Sequence, residues 1–321
     1  MRIHEEGTKN IWLDGIMGVV VGDALGCPVQ FMSRAEIARH PVTKMLGHGT
    51  YDMPVGTWTD DSSMALATLV SIRECGKIDL EDIMSRFGEW ITEGKYTPFG
   101  KAFDIGNGTI KAVLRYLKNH DIRTCGGTTE YDNGNGSLMR VMPVCLYCYA
   151  RQKAGELTDE QAVSLIHGAA GLTHNHLRGQ IACGLYYFMV QAILDSGGDL
   201  IRRLQKGLDD GFEFYRRDAG NLPELSYYGR IHNLFEFREV PEEKIRSTGY
   251  VVDTLEAVLW SLCRSGSFEE TLLIAVNLGD DTDTVGAIAG GLTGLYYGYE
   301  NIPDDWLDVI QRREWVESLC R

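Results

Sequence analysis

Residues 280–298 read DDTDTVGAIAGGLTGLYYG, with glycines at 286, 290, 294 and 298, every fourth position of an otherwise apolar run. A four-residue step keeps positions on one face of an α-helix, so that face is bare backbone. Glycine inside a helix costs roughly 0.5–1 kcal/mol relative to alanine. A stripe of four is sustained only if a second backbone packs very close, which puts this helix at the centre of a helical body. Apolar residues also recur at three- and four-residue steps in KNIWLDGIMGVVVGDAL, SSMALATLVSIREC, LEDIMSRFGEWITEG, FDIGNGTIKAVLRYLKNH and DEQAVSLIHGAAGLT. The same holds for LRGQIACGLYYFMVQAILDS, DTLEAVLWSLCRS, FEETLLIAVNLG and PDDWLDVIQRREWVESL, so the class is all-α, or nearly so. Helix starts are marked by TDDSS, LTDEQ and PDDW. No linker or solenoid repeat divides the chain. The simplest organisation is one domain over 1–321, with a less regular excursion around 218–248.

Composition excludes several function classes. With 44% hydrophobic residues the chain can bury a large core, and a net charge of -14 opposes binding to nucleic acid or to an anionic membrane. No apolar run is expected to reach the ~18 residues that span a bilayer; the best candidate, Val285–Gly298, is too short. The N-terminus MRIHEEGTKNIW lacks the apolar core of a signal peptide. Eight cysteines are too sparse for a disulfide scaffold and suit a reducing cytoplasm. Cys145 and Cys148 form a lone C-x-x-C in an apolar helical segment and are expected to be structural.

The chemistry lies in two acidic clusters. Asp281, Asp283 and Thr284, with Asp280 before them, head the glycine-striped helix, and Thr59, Asp60 and Asp61 head another. A helix cap with favourable dipole charge accounts for one or two of these acids. Convergence of both clusters on a divalent cation accounts for all of them. The donors are hard oxygens with no adjacent His or Cys, which favours Mg²⁺ or Mn²⁺ over zinc or copper. That many carboxylates can serve two cations.

A glycine-rich stretch, CGGTTEYDNGNGSLMRVMPV at 125–144, is expected to turn backbone amides towards an anion, with SLMRV opening a helix behind it. It lacks the lysine of a P-loop, and a plain surface turn is the alternative. His174 and His176 stand in a turn, LTHNH; Tyr96, Thr97 and Asp104 lie in a Gly-flanked region where Asp104 alone reads as a helix N-cap. GVVVGDALGCPVQF runs from a helix through a turn to Gln30.

Taken together, GDALG at 22–26, GTWTDDSSM at 56–64, FDIGNGT at 103–109, GNGSLMRVMPV at 134–144, THNH at 173–176 and GDDTDTVGAIAGGLTGLYYG at 279–298 resemble the ADP-ribosylglycohydrolase family. The blocks occur in the family's order across most of the chain. The resemblance implies a compact orthogonal helical bundle with a central binuclear metal site. It implies hydrolysis of the glycosidic bond between ADP-ribose and a protein side chain or small conjugate, by metal-activated water at the distal ribose. By position, Thr59, Asp60, Asp61, Asp281, Asp283 and Thr284 look like the metal ligands. Asp104, with Asp61 and Asp281, looks catalytic, and Asn135, Gly136, Ser137, Met139, His174, Gln30 and Tyr96 look like substrate contacts. Many members carry Glu where this chain has Gln30, and an amide is no general base. A nucleotide-binding protein with little turnover and a hydrolase of another nucleoside conjugate are the alternatives.

Overall fold

The computed structural model describes residues 10–321, so most of the N-terminal stretch read above as lacking a leader lies outside the described residues. Eleven helices of ten or more residues make up the body. They are α1 (Ile11–Gly26), α2 (Asp60–Cys75), α3 (Leu80–Glu93), α4 (Asn107–Asn119), α5 (Met142–Lys153) and α6 (Asp159–Gly171). After these come α7 (Leu177–Asp195), α8 (Leu200–Arg216), α9 (Val251–Cys263), α10 (Phe268–Asn277) and α11 (Thr282–Tyr297). No strand forms among the described residues, only isolated bridges such as Gly127 with His174 and Gly134 with Tyr250.

The glycine stripe of α11 does meet a second backbone, and that partner carries a stripe of its own. A Cβ on Gly18 would lie 2.1 Å from the Gly290 carbonyl oxygen, and one on Gly22 2.0 Å from that of Gly286. Conversely, a Cβ on Gly290 would lie 2.1 Å from the Gly18 oxygen, and one on Gly294 2.3 Å from that of Asp14. Helices α1 and α11 therefore touch main chain to main chain, each bare face filling the other. Gly298 is not part of this contact: it ends α11 with φ 90°, a conformation side chains disfavour. Ile11–Val29, with mean hydropathy 1.4, is long and apolar enough to cross a bilayer, contrary to the sequence reading. Here it is a central helix, buried from Asp14 to Gly26.

Two other expectations change. SLMRV forms turns, and α5 starts only at Met142, with Pro143 in its first turn. The C-terminal PDDWLDVIQRREWVESL breaks into Asp304–Leu307 and Arg313–Leu319, with Arg312 at φ 55° between them. Residues 218–248 form short helical turns docked on the body. The Tyr228 hydroxyl donates to the Arg178 carbonyl at 2.7 Å, Arg178 Nε to Glu224 at 2.8 Å, and Trp260 Nε1 to the Val240 carbonyl at 2.8 Å. Cys145 and Cys148 are buried free thiols, as expected.

Candidate active site

The α1–α11 contact fixes the start of α11, and α2 brings the other acidic cluster to it. Thr59 occupies the N-cap position of α2, yet its hydroxyl makes no cap bond. It stands 3.3 Å from Asp61 Oδ2 and 3.4 Å from Asp283 Oδ2. The Thr284 hydroxyl lies 3.5 Å from the same Asp61 oxygen. Asp281, at the N-cap of α11, likewise makes no cap bond and accepts from Asn135 Nδ2 at 2.7 Å. Capping thus does not account for these acids. Asp280 stands apart, exposed and at φ 58°, its backbone paired with Phe31 and Met32.

Asp23, which the sequence reading left without a role, holds the arrangement from behind. Its buried carboxylate accepts from the backbone N–H of Thr59 at 2.9 Å and of Ser62 at 3.0 Å, and from the Ser62 hydroxyl at 2.6 Å. It therefore ties α1 to the first turn of α2. The sequence signal was an acid next to the packing glycine Gly22, inside a helix that buries every other side chain near it.

Burial pushes Asp23 up to about 7, against the hydrogen bonds that favour its charge. Burial first, and neighbouring carboxylates second, raise Asp60, Asp61 and Asp283 well above the ordinary carboxylate range. Asp281 is raised by burial and eased by Asn135 and by the Gln30 amide. No lysine, arginine or histidine is among the groups that favour ionisation of these side chains. Asp61 Oδ1 and Asp104 Oδ2 are buried without a hydrogen-bond partner. Unpaired buried anions are costly. Asp61 and Asp283 are joined through the Thr59 hydroxyl, and no three acidic, histidine or cysteine side chains are drawn together as a finished coordination group among the described residues. Even so, the donor set of carboxylate and hydroxyl oxygens fits a hard divalent ion.

One face of the cluster opens on a cleft of ≈ 340 Å³. It is lined by Asp60, Asp281, Thr284, Gln30, Phe31 and Asp104, by residues 106–109 and 134–136, and by Met139, His174 and Gly249. Asp104 is not the N-cap of α4. It sits at φ 54° two residues before the actual cap, Gly106, and accepts from the Tyr51 hydroxyl at 2.5 Å. The loop at 133–136 is strapped to the start of α9, Asn135 N–H donating to the Gly249 carbonyl and Val251 N–H to that of Asn133, each at 3.0 Å. Helix α4 presents its N-terminus to the cleft through Gly106, Asn107 and Gly108, as α2 does through Asp60 and α11 through Asp281, whereas SLMRV opens no helix there.

Two proposed substrate contacts fall elsewhere. Ser137 is buried behind the loop with its hydroxyl against Cys183 Sγ at 3.7 Å. Tyr96 lies off the cleft, its hydroxyl bonded to Arg86 and Glu89 at 3.0 Å each, because φ 59° at this residue turns the chain back onto α3. His176 caps α7. Phe31, Tyr51 and the α4 amides join the site unannounced, since only the fold brings them there. A larger groove of ≈ 570 Å³, lined by Trp260, Arg264 and Leu273 among others, contains none of the clustered acids.

Comparison with known proteins agrees with the motifs. The family model for ADP-ribosylglycohydrolase matches residues 6–321. The ADP-ribosylarginine hydrolase Tri1 of Serratia proteamaculans (strain 568) is 30% identical over 307 residues, 95% of this chain and 76% of that protein. The ADP-ribosyl-[dinitrogen reductase] glycohydrolase of Rhodospirillum rubrum is 32% identical over 303 residues, 94% of this chain and 90% of that protein. A solved structure titled "ADP-ribosylglycohydrolase-related protein complex" superposes with TM-score 0.76 at 31% identity, covering 97% of this chain and 95% of the other. The chain belongs to the ADP-ribosylglycohydrolase family.

Proposed function

We propose that this chain hydrolyses the N-glycosidic bond joining ADP-ribose to an arginine side chain of a protein, or to a small guanidine conjugate. The observation that carries the reading is the cleft, in which the carboxylate cluster and Asp104 face a glycine loop and the N-terminus of α4. A helix N-terminus and turned backbone amides favour phosphate oxygens, and the acids beside them favour cations. The choice of arginine rests on the activity named for Tri1.

Thr59, Asp60, Asp61, Asp281, Asp283 and Thr284 would hold two divalent cations, Mg²⁺ or Mn²⁺. When bound, such ions polarise ribose hydroxyls and make water more acidic. Asn135, Gly136, Met139 and His174 position the ADP-ribose. Asp104, its Oδ1 held by Tyr51 and its Oδ2 without a partner, takes the proton of the attacking water. The C1″–O bond forms as C1″–N breaks; the departing guanidine keeps the electron pair and takes a proton from solvent. Gln30 does not act as a base in this scheme. Its amide hydrogen-bonds Asp281 and favours that residue's ionised form.

A panel of ADP-ribosylated arginine, serine and cysteine conjugates, each incubated with Mg²⁺ or Mn²⁺, tests the proposal. Release of ADP-ribose from the arginine conjugate is expected. No release from any conjugate, alongside tight binding of free ADP-ribose and a gain of turnover in Gln30→Glu, would instead make the wild type a binding protein.

A further inference from the structure

Arg140 is a fully buried cation with no carboxylate beside it. It is 1% exposed, lies with its guanidinium carbon 4.9 Å over the Phe87 ring, and leaves its Nε without a partner. Burying an unpaired charge is among the costlier things a fold can do, and nothing in the helical packing requires an arginine there. What Arg140 does touch leads to the cleft. Its Nη2 donates to the Ala169 carbonyl at 3.1 Å and to the Thr173 hydroxyl at 2.8 Å, and that hydroxyl lies 2.9 Å from His174 Nδ1.

A guanidinium can only donate, so the Thr173 oxygen accepts from Arg140. Thr173 is 1% exposed, and its one hydroxyl proton has a single remaining neighbour able to receive it, the Nδ1 lone pair of His174. Were Nδ1 protonated instead, that buried hydroxyl proton would have no acceptor, at the full cost of an unmade hydrogen bond. We propose that Arg140, acting through Thr173, is a positioning residue that fixes His174 as the tautomer protonated at Nε2. His174 then presents a hydrogen-bond donor to an oxygen of the ADP-ribose moiety. This rests on the reading of the cleft as an ADP-ribose site.

The surroundings of the ring suit that task. Nε2 lies on the side of two cleft-lining glycines: a Cβ on Gly108 would stand 2.8 Å from it and one on Gly134 3.2 Å. A Cβ on Gly136 would likewise meet the ring, 2.8 Å from Cε1, so a side chain at any of these glycines would occupy the space beside Nε2. The imidazole is strapped in place, since Gly127 N–H donates to the Thr173 carbonyl at 3.0 Å and Asn175 N–H to the Gly127 carbonyl at 2.7 Å. Burial, helped by the Arg140 charge, lowers His174 to about 4, so the ring stays neutral through the physiological range.

The test uses the full chain labelled with ¹⁵N-histidine, the His174 signals being assigned by their loss in His174→Gln. The expected wild-type spectrum shows Nδ1 bare and Nε2 protonated from pH 6 to 9, with no titration. Thr173→Val, which keeps shape and removes the hydroxyl, should give a mixture of tautomers and weaken ADP-ribose binding about tenfold, the scale of one lost hydrogen bond. In the hydrolysis assay KM should rise by a similar factor with kcat little changed. Thr173→Ser should restore both spectrum and affinity. A wild-type ring protonated at Nδ1 would overturn the proposal. So would a Thr173→Val protein that keeps the single tautomer, or one that shifts tautomer with unchanged affinity. A protein with the expected spectrum and ADP-ribose affinity but no hydrolysis of any conjugate would refute the proposed activity alone.

Discussion

At the scale of single residues, the site is a set of acids that the fold forces together without a counter-charge. Asp60 and Asp61 come from one end of the sequence, Asp281 and Asp283 from the other, and the Thr59 hydroxyl bridges Asp61 and Asp283 at 3.3 and 3.4 Å. On the proposed reading the cluster holds a cation, and removing one acid should remove that cation while relieving repulsion. Asp60→Ala and Asp281→Ala are therefore expected to lose bound divalent metal by elemental analysis and to keep native circular dichroism. Wild-type metal content in both variants would refute the assignment. Asp104 makes a different prediction because it acts on the proton. Asp104→Asn should lower kcat by about 10²–10⁴-fold, the range for loss of a general base, with ADP-ribose affinity within about threefold. The residue types and spacings announced the TDD and DTDT clusters. They did not announce Asp104's place, which depends on a left-handed backbone at φ 54°, or Tyr51, which reaches it across 53 positions.

Among the elements, the α1–α11 pair decides where the acids stand. The stripe in α11 was legible because four glycines in register are hard to explain otherwise. The matching stripe at Gly18, Gly22 and Gly26 was hidden by reading GVVVGDALGCPVQF as a helix that gives way to a turn, whereas α1 continues to Gly26, where an added Cβ would lie 2.3 Å from the Thr282 oxygen. Gly22→Ala is expected to destabilise by about 3 kcal/mol, the upper part of the overpacking range, since its Cβ would lie 2.0 Å from the Gly286 oxygen. Gly197→Ala, with nothing within 4 Å of the added carbon, should change stability by less than about 0.5 kcal/mol. Denaturant unfolding of the two variants makes the comparison, and equal effects would contradict the packing account. SLMRV was misread as a helix start, and PDDWLDVIQRREWVESL as one helix, for a related reason: local propensity does not fix a helix boundary when tertiary contacts set it.

At the scale of the whole molecule, the buried acids link stability to pH and to cation. Asp23 is raised from 3.8 to about 7, and Asp60, Asp61 and Asp283 are raised as well. A carboxyl with a raised folded pKa binds its proton more tightly folded than unfolded. Its contribution to stability is present at low pH and lost as pH rises through the folded pKa, which is about 7 for Asp23 and well above the ordinary carboxylate range for the others. Cations need the ionised form and so offset this loss. The Tm gain on adding Mg²⁺ to chelator-treated protein should therefore grow between pH 5 and pH 7.5. Taking the gain rather than Tm itself cancels the exposed acids, such as Asp79, whose carboxyl is lowered by Lys77. A gain that is flat or shrinks with pH would contradict the linkage.

The most direct measurement is release of ADP-ribose from an arginine-ADP-ribosylated protein by the purified chain, first stripped of metal by chelation and then given Mg²⁺ or Mn²⁺. The account predicts no release from the stripped protein, release on adding either ion, and none from Asp60→Ala under the same conditions. Full turnover by the stripped protein, or by Asp60→Ala, would contradict it.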